Sequence, residues 1–248
     1  MKNKIVSAAQ AVAIVRSGDT VACSGFIGIG TPNELILALR ERFNETATPR
    51  DLTLLFAASP GDGKGHGLDN LACEGLVKRV VGGHYGLVPE LATMAVEGRI
   101  EAYNLPQGTI TQLYRDIAGN RAGTITKVGL RTFVDPRQEG GKINSRTTQD
   151  LVRLMEIDGQ EWLFYRAFPV SVALIRGTTA DLNGNITMVR ATAGKARQAG
   201  GGAEGAGQPR ERRRVERQDE RGSEQGRGDA CEAQRVDRRG AGAFGREH

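Results

Sequence analysis

Four short segments of the chain combine glycine or proline with polar side chains, and each directly follows an apolar run. They are residues 25–32, 58–67, 82–86 and 104–108. If the apolar runs form parallel strands, their carboxyl ends meet at one edge of a sheet, where α/β proteins bind ligands. The segments predict a broad ligand crevice along that edge. Tight turns with no ligand remain the alternative explanation of the glycines.

The spacing in these segments does not favour two common nucleotide sites. Gly25, Gly28 and Gly30 form G-x-x-G-x-G, whereas a dinucleotide fingerprint is G-x-G-x-x-G, and Asn33 stands where its third glycine would be. The sequence GDGKGHG around Lys64 has neither the spacing of a Walker A loop nor a following Ser or Thr. Because the three cysteines and three histidines show no metal-ligand spacing, no metal site is predicted.

Two segments carry polar side chains suited to binding a carboxylate or another anion. Gln107 lies between Pro106 and Gly108, and its neutral amide can orient a carboxylate without being titrated. A loop amide with ordinary hydrogen bonds is the alternative. Lys64 and His66 lie in a glycine-rich loop and could meet an anionic ligand, although solvated loop charges would look the same.

The segments are separated by alternating helical and strand patterns. Helices are predicted at residues 7–18, 31–43, 87–98 and 109–119, with a short one after residue 70, and strands at 20–26, 51–58, 77–81 and 100–105. Strands that alternate with helices on short connections indicate βαβ units. We therefore predict an α/β fold with an open, mostly parallel sheet and helices on both faces.

The alternation of helical and strand patterns changes in the last part of the segment that contains apolar runs. Asp158-Gly159 separates two apolar-rich runs and predicts a hairpin within residues 152–168. A buried strand is predicted at 170–180, and a turn with the start of a strand at 181–188. Because the apolar patterns stop at Met188 before a helix that could cover the sheet, we expect a truncated lobe at 1–188 followed by a tail at 189–248.

The tail differs sharply in composition from the rest of the chain. Residues 189–248 contain no Leu, Ile, Met, Trp or Tyr, and they are rich in Arg, Gly, Ala and Glu. Such a segment cannot bury enough apolar area to offset its backbone entropy, so disorder is predicted. An RNA-binding arm, a solvated tail and a segment translated out of frame are the three interpretations. The last is favoured because the boundary is sharp.

Charge and hydropathy limit the classes of partner. The net charge of the 248 residues is +5, but residues 190–248 carry 14 basic and 10 acidic residues and so account for +4 of it. The remaining part is nearly neutral, and nucleic acid is therefore not a favoured partner. No apolar run approaches the ~18 residues of a membrane span, and no secretory signal is seen. A cytoplasmic location is expected.

Several motifs, in order, resemble family I CoA-transferases of the acetate, propionate and acetoacetyl type. The segment GDTVACSGFIGIGTPNEL is similar to the N-terminal signature of the family, and YNLPQGTI resembles its Pro-Gln-Gly loop. The segment VGLRTFVDPR has Arg131 where the family usually has glycine, and GTTADLNGNIT also fits. Ser24 replaces the first glycine of a Gly-Gly-Phe triplet. The resemblance covers residues 3–188.

The resemblance implies a reaction and a set of site residues. A glutamate attacks an acyl-CoA, a glutamyl-CoA thioester forms, and a short-chain carboxylic acid then takes the CoA, as in short-chain fatty acid and ketone body metabolism. Coenzyme A would be a substrate, with no permanently bound cofactor. Gln107 would be the catalytic residue that orients the carboxylate or oxyanion. The implied substrate-binding residues are Gly25, Phe26, Gly28, Gly30, Lys64, Pro106 and Gly108.

The family's nucleophilic glutamate lies in a second half, which implies partners for this chain. Glu74 and Glu97 look like surface residues at helix ends, so neither is assigned as the nucleophile. We expect an N-terminal lobe that is inactive alone and that works in a homo-oligomer or with a beta-type half. Two alternatives stay open: an alpha subunit with a separate beta chain, and a non-catalytic module that binds CoA or RNA.

Overall fold

A computed structural model describes residues 4–188 and shows three sheets with helices packed against them. The strands are β1 Thr20–Cys23, β2 Leu52–Phe56, β3 Val77–Gly82, β4 Glu101–Asn104, β5 Gly123–Thr126, β6 Val152–Ile157, β7 Gln160–Arg166, β8 Val172–Leu174, β9 Thr179–Ala180 and β10 Ile186–Thr187. The helices are α1 Ala8–Val12, α2 Asn33–Thr46, α3 Pro89–Val96 and α4 Gln107–Ala118, with a 3₁₀ helix at Leu68–Leu71.

The central sheet has five strands in the order β4-β3-β2-β1-β8, and every neighbouring pair is parallel. Since β1 to β4 follow one another in space as in sequence, each connection between them crosses over one face of the sheet. The connections run through α2, the 3₁₀ helix and α3. The predicted α/β class with an open, mostly parallel sheet is confirmed.

The two faces of the central sheet are covered differently. On one face, Val21, Leu54 and Val80 join a core with buried residues of α1, α2 and α3. On the other face, Leu55 and Val81 pack with Ile110 of α4 and with Leu163, Tyr165 and Val152 of the antiparallel strands. Helices therefore lie on both faces, but a second sheet shares the covering of the second face.

The second sheet is antiparallel, with the order β5-β7-β6. The predicted hairpin is confirmed, because β6 and β7 are joined by Asp158 and Gly159, which have φ angles of 52° and 72°. Asp and Gly tolerate this left-handed conformation and so permit a two-residue turn. β5 was not predicted from the sequence.

Two predicted elements are shorter than expected. The helix predicted at 7–18 ends at Val12, and the Arg42 guanidinium donates hydrogen bonds to the carbonyls of Val12 and Val15 at 2.7 and 2.9 Å, which satisfies acceptors at this helix end. The single buried strand predicted at 170–180 is wrong: β8 ends at Leu174, and β9 pairs with β10 instead. Within residues 4–188, β8 has only β1 as a neighbour and so lies at the edge of the central sheet.

Two further sequence predictions concern membrane spans and the tail. Within residues 4–188, no helix is long and apolar enough to cross a membrane. The predicted disorder of the tail concerns residues 189–248, which lie outside the described residues. The division into a lobe at 1–188 and a tail therefore stays a prediction.

Candidate functional site

The four glycine- and proline-marked segments lie at one edge of the central sheet. Each follows the carboxyl end of one of the strands β1 to β4, which are parallel and adjacent. Neighbouring segments touch: a Cβ on Gly25 would lie 3.1 Å from Pro60, and a Cβ on Gly83 would lie 3.0 Å from the Cα of Gln107. The Gly63 N–H donates to the Leu87 carbonyl at 3.1 Å. The structure thus assembles the segments into one continuous rim.

A small hairpin forms the part of the rim that follows β1. Phe26 and Ile29 exchange two backbone hydrogen bonds of 2.9 and 3.0 Å, with Ile27 and Gly28 at the tip. Gly25 has φ 128°, and a Cβ there would lie only 2.5 Å from the Thr31 hydroxyl. Phe26 is 52% exposed, so it does not belong to the core and is free to line a site outside. A Cβ added to Gly28 would have nothing within 4 Å among residues 4–188.

The segment after β2 is organised by Asp62. Its carboxylate accepts hydrogen bonds from the backbone N–H groups of Lys64 and His66 at 2.8 and 3.2 Å, and it lies 2.6 Å from the His66 ring. Slight burial raises the pKa of Asp62, but these hydrogen bonds outweigh it and hold the pKa below its ordinary value. The folded loop leaves Lys64 exposed at its tip. The arrangement offers a positive charge to an anion that approaches the rim.

The segment after β4 leads directly into α4. Pro106 is the N-cap residue and Gln107 is the first helical residue. Gln107 and Gly108 are exposed, and the Gln107 side-chain amide has no hydrogen-bond partner within the described part of the chain. An unpaired amide beside a helix N-terminus can donate to a carboxylate or to a developing oxyanion. The role predicted for Gln107 from the sequence stays a prediction.

The distance across the rim follows from strand spacing. Neighbouring strands lie about 4.8 Å apart, so β1 and β4 are separated by about 14 Å. Gly25, Phe26, Gly28 and Gly30 therefore lie at one end of the rim, and Pro106, Gln107 and Gly108 lie at the other. Lys64 lies on the second segment, between them. The structure brings the predicted residues to one edge but does not gather them into a single closed pocket.

Two polar residues that support the rim were not identified from the sequence. The side-chain oxygen of Asn33 accepts the N–H of Gly67 at 3.1 Å and so ties the first segment to the second. Asp69 accepts the N–H groups of Glu90 and Leu91 at the start of α3, at 3.1 and 3.3 Å. Desolvation by burial raises the pKa of Asp69 to about 6, although these hydrogen bonds lower it. Asn33 lies within the segment GDTVACSGFIGIGTPNEL, but local spacing predicts neither contact, since both contacts join residues at least 20 positions apart.

Other candidate features lie away from the rim. Glu74 and Glu97 are exposed and contact Arg99, as expected for surface residues. A cavity of about 340 Å³ lies near the amino ends of the strands and contains none of the predicted site residues. It is lined by Gly18, Thr20, Thr53, Arg79, Val81, Leu151, Phe168, Pro169 and Ser171.

Residues 4–188 contain no group of three or more His, Cys, Asp or Glu side chains that could hold a metal ion.

Comparison with known sequences points to one kind of protein. The caffeate CoA-transferase of Acetobacterium woodii is 45% identical over 184 residues, and the acetate CoA-transferase YdiF of Escherichia coli K12 is 41% identical over 184 residues. In both cases the match covers 74% of this chain and 35% of the relative. The chain therefore spans about a third of the length of these relatives.

A shorter relative and a solved structure agree with these matches. The acetate CoA-transferase subunit alpha of E. coli K12 is 32% identical over 187 residues, which are 75% of this chain and 76% of that subunit. The crystal structure of the acyl-CoA transferase YdiF from E. coli O157:H7, as a thioester complex with CoA, has a TM-score of 0.74 and 40% identity. The match covers 75% of this chain and 37% of that chain. A family model described as coenzyme A transferase matches residues 5–202, and the chain belongs to this family.

Proposed function

We propose that this chain supplies the N-terminal lobe of an enzyme that transfers CoA from an acyl-CoA to a short-chain carboxylic acid. The observation that carries the proposal is the continuous rim of four glycine-marked segments, in a chain of which 184 residues match two CoA-transferases at over 40% identity. Coenzyme A is then a substrate, and no resident cofactor takes part. The fatty acid and ketone body reactions expected from the sequence, and a cytoplasmic location, belong to this proposal.

The proposed mechanism is nucleophilic catalysis in two symmetrical stages. A glutamate carboxylate of the second half attacks the thioester carbonyl carbon, the C–S bond breaks, and CoA leaves as a thiolate. The thiolate then attacks the glutamyl carbonyl of the mixed anhydride, which releases the first carboxylate and leaves a glutamyl-CoA thioester. A second carboxylate reverses both steps and departs as the new acyl-CoA.

The residues of this chain would bind and orient the reacting groups. The Gln107 amide donates a hydrogen bond to the attacking carboxylate or to the oxyanion that forms on the thioester carbonyl. Phe26 and Gly25 form one wall of the acyl site, and Gly28, Gly30, Pro106 and Gly108 keep the rim clear of side chains. The Lys64 ammonium contacts a negative group of the CoA.

The nucleophile is assigned to a second half, either on a longer form of this polypeptide or on a separate beta chain. The alpha subunit of E. coli acetate CoA-transferase supports the two-chain arrangement, because the match covers 76% of that subunit. A homo-oligomer of such assemblies is compatible with both. On this proposal the 248-residue chain transfers no CoA by itself.

A reconstitution assay tests the proposal. The full chain would be mixed with the part of E. coli YdiF that it does not match, and the conversion of acetoacetyl-CoA and acetate to acetyl-CoA would be followed by chromatography. We expect activity only from the mixture. Gln107→Ala should lower its kcat by about 10²–10³-fold, the usual loss for one oxyanion donor. Gln112→Ala is the matched control, since Gln112 is an exposed amide further along α4.

Three outcomes would contradict the proposal. Activity of the chain alone would place the nucleophile within it, with Glu34 and Glu90 in the first turns of α2 and α3 as the first candidates. A mixture that binds CoA without turnover would favour the non-catalytic module. Salt-dependent RNA binding that is lost on removing residues 190–248 would favour the RNA version of that module.

A further inference from the structure

The hairpin after β1 exposes three large apolar side chains at the rim. Phe26, Ile27 and Ile29 are 52%, 45% and 53% exposed, and none of them belongs to either hydrophobic core. Single exposed apolar residues are common on protein surfaces, but adjacent ones on one projecting loop mark interaction sites. The hairpin is therefore a candidate contact surface rather than part of the packing of this lobe.

The tip of the hairpin is held in an unfavourable backbone conformation. Ile27 has φ 56°, a region in which a β-branched residue is a genuine outlier. Neighbouring hydrogen bonds hold it there: the Thr31 hydroxyl donates to the Ile27 carbonyl at 3.2 Å, and the Ser24 hydroxyl donates to the Gly30 carbonyl at 2.9 Å. Asn or Gly would adopt this conformation with less strain. Isoleucine thus has a conformational cost here, and within residues 4–188 no core packing offsets it.

We infer that Ile27 is an anchor that inserts into an apolar recess of the second half of the enzyme. This inference depends on the proposed function, which requires a carboxylate of the second half to reach the same rim. The matched residues make up only 35% of the first relatives, so a large part of those proteins lies outside the region that this chain shares. The hairpin projects where that part must approach, and burial of Ile27 in it would offset the strained backbone.

The small size of the hairpin favours this occupant over a second copy of the chain. A stable interface buries about 800 Å² on each partner, which three partly exposed side chains cannot supply. The hairpin can nevertheless act as a central anchor in an interface that other surfaces complete. Because the second half must contact the rim for catalysis, it already provides such an interface.

The test compares binding by the wild-type chain and two variants. Ile27→Asn removes the apolar tip and relieves the strain, whereas Ile14→Asn is the matched control at an isoleucine that is 65% exposed in the turn before β1. The Kd for the unmatched part of E. coli YdiF would be measured by isothermal titration calorimetry with each full-length chain. Loss of one buried isoleucine should raise the Kd by about tenfold or more for Ile27→Asn and leave it within about twofold for Ile14→Asn.

Stability and activity measurements separate the possible explanations. The Tm of the isolated Ile27→Asn chain should equal or exceed that of the wild type, because strain is removed and no core contact is lost. Equal affinity of the wild type and Ile27→Asn in an active mixture would overturn the anchor and leave the proposed function intact. Weaker binding in a mixture that never transfers CoA would support the anchor and refute the function. No association of the wild-type chain would overturn the anchor.

Discussion

Asp69 should make the stability of the chain depend on pH in a direction unusual for a carboxylate. The residue is buried, its Oδ1 caps the start of α3, and its Oδ2 has no hydrogen-bond partner among the described residues. Desolvation by burial raises the pKa of Asp69 from 3.8 to about 6. The folded state therefore holds this proton more tightly than the unfolded state. Its contribution to stability is complete below about pH 4 and is lost as the pH rises through 6.

The size of the effect follows from proton linkage. With pKa values of about 6 in the folded chain and 3.8 in the unfolded chain, the ionised side chain lowers the free energy of unfolding by about 3 kcal/mol at pH 8 and about 2 kcal/mol at pH 5. Lowering the pH from 8 to 5 should thus raise the free energy of unfolding by about 1 kcal/mol through this residue alone.

Asp69→Asn isolates this contribution from other titrating groups. The amide oxygen can still accept the N–H groups of Glu90 and Leu91, while the charge is removed at every pH. Urea unfolding of both proteins at pH 5, 6 and 8 should give a difference in free energy of unfolding, variant minus wild type, that is larger at pH 8 than at pH 5 by about 1 kcal/mol. Glu90→Gln is the control, because Glu90 is exposed and should leave most of the difference in place. The same pH slope in the wild type and Asp69→Asn would refute the burial of a charged Asp69.

Three substitutions test backbone conformations, two of them in the rim and one outside it. Gly25→Ala should lower the free energy of unfolding by about 1–3 kcal/mol in urea, because its φ is 128° and the Cβ would meet the Thr31 hydroxyl at 2.5 Å. Gly28→Ala, which has space for a Cβ, should change it by less than about 1 kcal/mol, and equal losses would contradict this difference. Arg131→Gly should raise the Tm, with a gain of about 0.5–1 kcal/mol, since Arg131 has φ 62° and its N–H can still donate to Asp135. A lower Tm would show that the Arg131 side chain stabilises the fold.

The elements that depend on local pattern were predictable from the sequence. The third strand was expected at 77–81 and is found at Val77–Gly82, since a short run of β-branched residues has few alternatives. The hairpin turn at Asp158 and Gly159 follows from two residues that tolerate positive φ. The gathering of the four segments at one edge followed from the parallel sheet, because topology alone places the carboxyl ends together.

The details that depend on distant contacts were not predictable. The carbonyl at the end of α1, that of Val12, accepts a hydrogen bond from Arg42, which lies 30 residues away in the chain. Asp69 caps a helix that starts 20 residues later, and no sequence motif predicts this contact. The same limit applies to the candidate site. Gln107 and Lys64 are predicted from the sequence as site residues, and that assignment stays a prediction, but the sequence could not show that Asn33 and Asp62 fix the loops between them.

Glycine occurs in the rim for two different physical reasons, and the difference indicates what kind of ligand or partner binds there. At Gly25 and Gly83 a Cβ would collide with the neighbouring segment, so glycine there lets the loops pack on one another. At Gly28 and Gly108, by contrast, the described residues leave open space and the backbone φ does not demand glycine. Gly108 even lies in the first turn of α4, where glycine costs up to about 1 kcal/mol relative to alanine. Nothing within residues 4–188 accounts for glycine at these two positions, and they lie at opposite ends of the rim. A ligand or partner that comes close to the backbone at both ends would account for them, as an extended acyl-CoA held under a second lobe would do.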